Sequence, residues 1–219
     1  MCIRDSAGSG LRAVLSAVNS AIGDRALPEL KLNIGFYARS GQADVASKIL
    51  NTWRLELPRR LQGVFFETVQ RAARDTGGEL SFDALLQLFR DCYGFDTKDE
   101  RWEIASFKME HAGDRRRLTG EVVFDGKPRQ INNEGNGPLS AVVEALHEVI
   151  EGTLVIRDYS EHSIGEGSEV LAASYIELSY EREGKRSDAW GVATDTDITA
   201  SGIRAVLRAA SRLQLNFRI

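Results

Sequence analysis

The strongest constraint on the fold is a pattern of three strands followed by one amphipathic helix, which occurs twice after residue 102. Each copy has two strand-like runs, a third strand, a turn rich in Gly, Asn or Asp, and a helix with apolar residues three and four positions apart. Two such units can pair about a pseudo-twofold axis and leave a crevice. Two helix N-termini beside that crevice would attract an anion. The pattern predicts an α+β fold and favours a sensing module over a catalytic one.

Turn and strand signals define both copies. The first contains WEIASFKME, RLTGEVVF and KPRQIN, with an Asp125-Gly126 turn, and the second contains TLVIRDYSEH, VLAASYIELSYER and SDAWGVAT, with a Glu183-Gly184 turn. Such dipeptides between strand-like runs are typical of two-residue hairpins. We expect the sheets on one side and the helices on the other. The residues predicted to face the core from the helices are Leu139, Val142, Val143, Leu146, Ile150, Ile203, Val206 and Leu207.

The region before these copies has helical periodicity. Residues 43–53 predict one helix, and Pro58 is expected at the first position of the next, where its missing N–H costs nothing. Ser81 is expected to cap a third helix. The buried stripes of the second and third helices are predicted to contain Leu61, Phe65, Val69, Ala72, Phe82, Leu85, Leu86 and Phe89. The chain thus divides into a helical linker subdomain at 39–101 and a regulatory domain at 102–219.

Residues 1–38 form a separate N-terminal segment. The opening MCIRDS resembles a translated sequencing-adapter remnant and carries no argument about the fold. The next stretch, SGLRAVLSAVNS, predicts an amphipathic helix and closely resembles SGIRAVLRAASR near the end of the chain. A misjoined reading frame and a genuine extra helix would both produce this similarity.

Composition limits the classes of function. The net charge of −4 over 219 residues argues against a nucleic-acid binder, because neutralising phosphates requires clustered Lys and Arg. Two cysteines provide no disulfide framework, and three scattered histidines have no metal-ligand spacing. No apolar run approaches the roughly 20 residues that span a bilayer, and the N-terminus lacks the hydrophobic region of a signal peptide. These features predict a soluble cytoplasmic protein without a metal or membrane partner.

Motifs for catalysis are scarce. There is no GxSxG, HExxH, CxxC or phosphate-binding P-loop. Asp195 and Asp197 suggest either paired carboxylates or helix caps, and capping is the commoner role for Asp before a helix. His162 fits an acid–base group or a structural histidine. The sequence GNGPLS at 135–140, with Asp158 downstream, imitates a dinucleotide fingerprint, but its preceding strand is too polar for the buried first strand of a parallel sheet.

Three segments together resemble the C-terminal regulatory domain of the 2-isopropylmalate synthase family. They are GNGPLSAVVEAL, VIRDYSEHSIGEGSEVLAASYIEL and WGVATDTDITASGIRAVLRAASRL. The helical part, SGQADVASKILNTWRLELPRRLQGVFFETVQ followed by TGGELSFDALLQLF, is similar to the linker subdomain of the long form. The resemblance covers about residues 39–213. It departs at residues 40–44, where SGQAD stands in place of the family's SGKGG.

The resemblance implies a regulatory and dimerisation role in an acyltransferase that condenses acetyl-CoA with 2-oxoisovalerate in leucine biosynthesis. The family's catalytic barrel holds a divalent metal, and its motifs do not occur in this sequence. We therefore expect no cofactor and no synthase activity from this chain alone. Citramalate synthase shares the regulatory domain, and a stand-alone sensing or dimerisation module without enzymatic activity is a further alternative.

The resemblance also implies an effector site for leucine or a related amino acid in a homodimer. Backbone N–H groups at the helix starts of Pro138 and Ile198 would hold the carboxylate, and Asp158 or Glu161 would pair with the ammonium group. Ser163 and Val170 stand where the long forms commonly have alanine, which narrows the expected pocket. The residues carried over to the site are Gly137, Leu139, Ser140, Ile156, Tyr159, Ser163, Val170, Ala172 and Ile198.

Overall fold

The structure is a computed structural model that describes residues 36–37, 41–97, 102–165, 167, 170–213 and 215. The helix predicted within residues 9–20 lies outside these residues. The division into segments 1–38, 39–101 and 102–219 stays a prediction.

The described residues form three helices with two short strands, and then two sets of three strands and a helix. The helices are α1 Gln42–Trp53, α2 Arg59–Asp75, α3 Phe82–Tyr93, α4 Pro138–Val149 and α5 Ile198–Ala210. The strands are β1 Phe36–Tyr37, β2 Glu79–Leu80, β3 Trp102–Ala112, β4 Arg115–Phe124, β5 Lys127–Gly135, β6 Thr153–Ile164, β7 Leu171–Arg182 and β8 Lys185–Asp195. The order after residue 102 is therefore β-β-β-α twice, which confirms the predicted α+β class.

Both three-stranded sheets are antiparallel meanders, with strand orders β3-β4-β5 and β6-β7-β8. The hairpin turns lie where the sequence predicts them. Asp125 and Gly126 have φ angles of 49° and 78°, and Glu183 and Gly184 have 53° and 72°. Two successive residues in the left-handed region match the right-handed twist of the flanking strands, so these turns close tight hairpins.

Helices α4 and α5 pack against the two sheets and enclose one core. The predicted inward residues Ile203, Val206 and Leu207 are completely buried. Small residues allow this close approach: a Cβ on Gly191 of β8 would collide with the backbone of Ala205 in α5. The hydroxyl groups of Ser174 on β7 and Ser201 on α5 are hydrogen-bonded at 2.6 Å in the same buried layer.

The three N-terminal helices cover the opposite face of the second sheet. Tyr175, Trp190 and Val192 of that sheet share a second core with the buried faces of α1, α2 and α3. Phe65 and Phe89 pack edge to face there, with ring centroids 5.1 Å apart. The central strand β7 of this sheet is therefore buried on both faces. Among the described residues, no such helices cover the outer face of the first sheet, which is exposed and polar.

Two details of the linker helices differ from the expectation. Pro58 is the N-cap residue of α2, and Arg59 is the first helical residue. Ala73 is buried where Ala72 was expected, because the inward face continues the four-residue step from Phe65 and Val69. Ser81 caps α3 as predicted, since its hydroxyl accepts a hydrogen bond from Ala84 N at 3.2 Å.

Each of the two units contains a β-bulge at the same place in its first strand. The register shifts between Ile104 and Ser106 in β3 and between Ile156 and Asp158 in β6. An extra residue reverses the side on which later side chains lie. In β6 this reversal decides which residues face the helices after the bulge.

Candidate functional site

A cleft of about 330 Å³ lies where the starts of α4 and α5 meet strand β6. This volume is at the lower end of the range typical of small-molecule sites. The lining residues come from three elements and are mainly apolar with a few polar groups. They are Gly137, Pro138, Leu139, Ser140, Tyr159, Glu161, Ile198 and Thr199.

The N-terminus of α4 is open toward an anion. Its N-cap residue is Gly137, and no described side chain caps the first turn. Pro138 follows and has no N–H group of its own. The Ser140 hydroxyl accepts a hydrogen bond from Gly137 N at 3.0 Å, which fixes the entry to the helix. The first-turn N–H groups and the helix dipole together make this end attractive to a carboxylate.

The N-terminus of α5 differs because it already has a carboxylate. Asp197 Oδ1 accepts hydrogen bonds from Thr199 N at 2.7 Å and from Ala200 N at 3.1 Å. Asp195 accepts a hydrogen bond from Asp197 N at 3.0 Å and forms an ion pair with Arg204 at 3.0 Å. The two aspartates are therefore a cap and an ion-pair partner, as their position before a helix favours. Among the described side chains, Asp197 caps the start of α5 and none caps the start of α4.

The bulge in β6 brings Tyr159 and Glu161 into the cleft. Ile156 pairs with Leu178, and the next pair is Asp158 with Glu177, so Arg157 is the extra residue. Leu154 and Ile156 pack toward the helices before the bulge, and Tyr159 and Glu161 take this side after it.

Tyr159 and Glu161 form a polar pair on the wall of the cleft. The Tyr159 hydroxyl donates a hydrogen bond to the Glu161 carboxylate. Partial burial, followed by this hydrogen bond, raises the pKa of Tyr159 above its ordinary value of 10.0. The tyrosine therefore stays neutral at physiological pH. The Glu161 carboxylate beside it lines the same cleft as the positive end of α4.

Asp158 lies on the other face of β6 and is separated from the cleft. Burial raises the pKa of the Glu177 carboxyl on that side, Arg60 of α2 opposes this, and the charges of Asp188 and then Asp158 raise the pKa further. Of the two acidic residues considered as partners for an ammonium group, Glu161 lines the cleft and Asp158 faces the linker side.

The structure brings together five of the nine residues carried over to the site. Gly137, Leu139, Ser140, Tyr159 and Ile198 line the cleft. Pro138 and Thr199 also line the cleft, although the resemblance does not include them. Each is next in sequence to a residue that it does include. Glu161 was considered only as an ionic partner. Its position two residues after Tyr159 on a strand was the available signal for including it.

The other four carried-over residues lie outside the lining. Ile156 packs against the helix-side core, and Ser163 borders a separate cavity of about 570 Å³ beside Arg54. Ala172 pairs with Ser163 and Asp195 in the sheet, and Val170 directly precedes β7. The small side chains of this strand accommodate a helix, because Ser174 contacts Ser201 of α5.

The structure also bears on two alternative sites, the dinucleotide-like sequence at 135–140 and His162 as an acid–base group. The strand before the dinucleotide-like sequence belongs to an antiparallel sheet, whereas the dinucleotide fingerprint requires a parallel one. The ring of His162 stacks on Tyr175 and contacts the backbone of the turn after α1. This places His162 in a structural contact.

No group of three or more His, Cys, Asp or Glu side chains among the described residues has the arrangement of a metal site. None of the described helices is long and apolar enough to cross a membrane.

Comparison with known proteins identifies the family. Residues 79–214 match the LeuA allosteric (dimerisation) domain. A 2-isopropylmalate synthase of Saccharomyces cerevisiae is 36% identical over 175 residues, covering 77% of this chain and 28% of the relative. A second yeast relative, "2-isopropylmalate synthase 2, mitochondrial", is 32% identical over 181 residues, covering 80% of this chain and 30% of the relative.

A bacterial relative gives a similar result. The 2-isopropylmalate synthase of Parafrankia sp. is 35% identical over 179 residues, which cover 80% of this chain and 31% of the relative. The matched region therefore spans less than a third of the length of these curated relatives. Residues 79–214, which match the domain family, include both β-β-β-α units with the cleft between their helix starts. The chain belongs to the LeuA allosteric (dimerisation) domain family.

Proposed function

We propose that this chain is the leucine-binding regulatory and dimerisation part of a 2-isopropylmalate synthase. The observation that carries the proposal is the cleft at the start of α4, where an uncapped helix N-terminus lies near the Glu161 carboxylate. A free amino acid has a carboxylate and an ammonium group on one carbon. A site for it needs a positive group and a negative group close together, with an apolar space for the side chain.

In this proposal, each part of leucine has its own partner in the cleft. The carboxylate accepts hydrogen bonds from the first-turn amides of α4, at Leu139 and Ser140. The ammonium group donates to Glu161. The isobutyl group packs against the apolar side chains of Leu139, Tyr159 and Ile198, which line the same space.

The exposure of the cleft supports dimerisation around it. Tyr159 is 43% exposed and Ile198 is 53% exposed, which is unusual for large apolar side chains that border one cleft. We propose that a second copy of the chain covers them, and the description of the matched family as a dimerisation domain supports a dimer in general. Light scattering of the purified chain is expected to give twice its 24.2 kDa mass. A monomeric mass at every concentration would contradict this part of the proposal.

The reaction regulated is proposed from the relatives, which are 2-isopropylmalate synthases. Leucine would then act as the feedback inhibitor of the condensation of acetyl-CoA with 2-oxoisovalerate. A cytoplasmic location belongs to the same proposal. Leucine made downstream of this step would bind in the cleft and thereby limit its own synthesis.

Thermal unfolding of the full chain with a panel of ligands tests the choice of effector. A ligand that binds only the folded chain raises its stability according to concentration and affinity. Leucine should raise the melting temperature more than isoleucine, valine or NADH do. A larger shift with isoleucine would favour a citramalate synthase, and a larger shift with NADH would favour the nucleotide site. No shift with any of them would favour a dimerisation module without an effector.

A further inference from the structure

We infer that strand β6 couples the cleft to the linker, with His162 as the positioning residue that holds the turn after α1. The inference concerns regulation of the proposed leucine site and rests on that proposal for its ligand. The structure brings the two regions together on opposite faces of one short stretch of strand. Tyr159 and Glu161 line the cleft, and His162 contacts the linker.

The contact of His162 with the linker is specific. Its Nε2 atom lies 3.1 Å from the carbonyl oxygen of Arg54 and 3.4 Å from the backbone nitrogen of Glu56. Arg54 is the C-cap of α1 and has a φ of 59°, so the chain leaves the helix sharply at this point. When Nε2 carries the proton it donates to the Arg54 carbonyl, and when it does not it accepts from Glu56 N, so in either tautomer this nitrogen bonds to the turn that leads from α1 to α2.

The imidazole ring of His162 is held in place by a second contact, with a side chain of the neighbouring strand. It stacks on the ring of Tyr175, with centroids 5.6 Å apart and an angle of 11° between the planes. Tyr175 is fully buried in the core that the sheet shares with the linker helices. A displacement of His162 along or away from the sheet would thus be transmitted to both the turn and this core.

Strand β6 is suited to small displacements because it lies at the edge of its sheet, bonded to β7 on one side. The segment from Asp158 to Ile164 begins directly after the bulge at Arg157. A bulge interrupts the ladder, so the segment beyond it is less tightly constrained than a regular inner strand. Only three positions separate Tyr159 from His162, and a peptide backbone does not stretch over that distance.

The two states required for coupling are a linker turn held by His162 and a turn released from it. A ligand that packs against Tyr159 and Glu161 would favour one position of the strand and thereby one state of the turn. Because binding linkage is reciprocal, releasing the turn must change the affinity of the cleft by the same factor.

Hydrogen exchange of the full chain, measured by mass spectrometry, tests this coupling. In the wild-type chain, saturating leucine should slow exchange of the backbone amides at 54–57 by about threefold or more. In His162→Phe, which keeps an aromatic ring against Tyr175, this protection should disappear. The matched control is His111→Phe, since His111 lies on β3 and contacts Arg116; it should retain the protection.

Hydrogen exchange without any ligand tests the coupling independently of whether leucine is the effector. No described atom lies within 4 Å of a Cβ built on Gly137, so Gly137→Phe can fill the cleft with a side chain. It should change exchange at 54–57 by about threefold in either direction, and the double variant with His162→Phe should show no further change relative to His162→Phe alone.

The outcomes are distinguishable. If leucine does not bind but Gly137→Phe alters the turn through His162, the coupling holds and the proposed effector is wrong. If leucine binds and exchange at 54–57 is unchanged, the effector is right and the coupling is overturned. An unchanged turn in Gly137→Phe also overturns it, as does leucine protection that persists in His162→Phe.

Discussion

Arg60 on helix α2 places its Nη2 atom 3.1 Å from the Oε2 atom of Glu177 on strand β7. The glutamate side chain is only 4% exposed, whereas the arginine is 53% exposed. This oxygen has no aligned hydrogen-bond donor in the part of the chain that the structure describes. The contact between linker and sheet thus includes a buried carboxylate with one solvated ionic partner.

The stability of the chain should depend on pH through Glu177. Burial raises the pKa of its carboxyl above 4.5, against the opposing effect of Arg60. A carboxyl with a raised pKa binds its proton more tightly in the folded chain, so ionisation costs stability as the pH rises through the raised pKa. Glu177→Gln removes this cost and leaves Arg60 in water.

We therefore expect the free energy of unfolding of Glu177→Gln at pH 8 to exceed that of the wild type by up to about 1 kcal/mol. Urea unfolding measures this difference. The difference should shrink as the pH falls toward 4.5. Glu121→Gln, at the equivalent register position in β4, is the matched control. A variant that loses stability specifically at pH 8 would mean that the ion pair outweighs the cost of burial.

Replacing Gly137 should separate binding from folding. Its φ of −163° is extended backbone that any residue adopts, and an added Cβ would meet no described atom within 4 Å. Gly137→Val is expected to keep the melting temperature of the ligand-free chain and to weaken leucine binding by about tenfold or more, by crowding the amides of α4. Calorimetric titration gives the affinity. Undiminished affinity would place the ligand away from this helix start.

Glycine at 191 should be required for packing, in contrast to glycine at 63. A Cβ at Gly191 would collide with Ala205 and approach Ala209 N to 2.5 Å. Gly191→Ala is expected to lower the free energy of unfolding by about 1–3 kcal/mol. Gly63 lies within α2 with open space around it, so Gly63→Ala should raise this free energy by about 0.5–1 kcal/mol. Urea unfolding of both variants checks the contrast, and equal effects would refute it.

The cap of α5 should contribute to stability but little to binding. Asp197→Ala removes the acceptor for the amides of Thr199 and Ala200, and loss of such a cap typically costs about 1 kcal/mol. The affinity for leucine should not fall, because removing Asp197 takes a negative charge away from the region of the cleft. A loss of affinity comparable to that of Gly137→Val would show that the α5 start holds the ligand.

Periodicity was sufficient to predict the elements of this fold, because strand alternation and helix stripes depend on local spacing. The hairpins at Asp125 and Glu183 and the cap at Ser81 have local signals of the same kind. The burial of both faces of β7 was also readable in principle. The stretch from Ala173 to Tyr180 is apolar or small at nearly every position, as expected for a strand covered on both sides.

The positions of the site residues depended on features without a local signal. The bulge at Arg157 lies within TLVIRDYSEH, which alternates too weakly to reveal an extra residue. It is the bulge that directs Glu161 into the cleft and Asp158 away from it. The contact of His162 with Arg54 joins residues 108 positions apart, so no short motif predicts it. Four carried-over residues lie outside the lining because family positions identify a region more reliably than the walls of a cleft.

The most direct test of the account is calorimetric titration of the full chain with leucine, comparing the wild type with Glu161→Gln and Asp158→Asn. The two acidic residues are three positions apart on one strand and differ in the face that they occupy. We predict one leucine site per chain, an affinity about tenfold to a hundredfold weaker in Glu161→Gln, and little change in Asp158→Asn. Equal affinity in all three chains, or a selective loss in Asp158→Asn, would contradict leucine binding in this cleft.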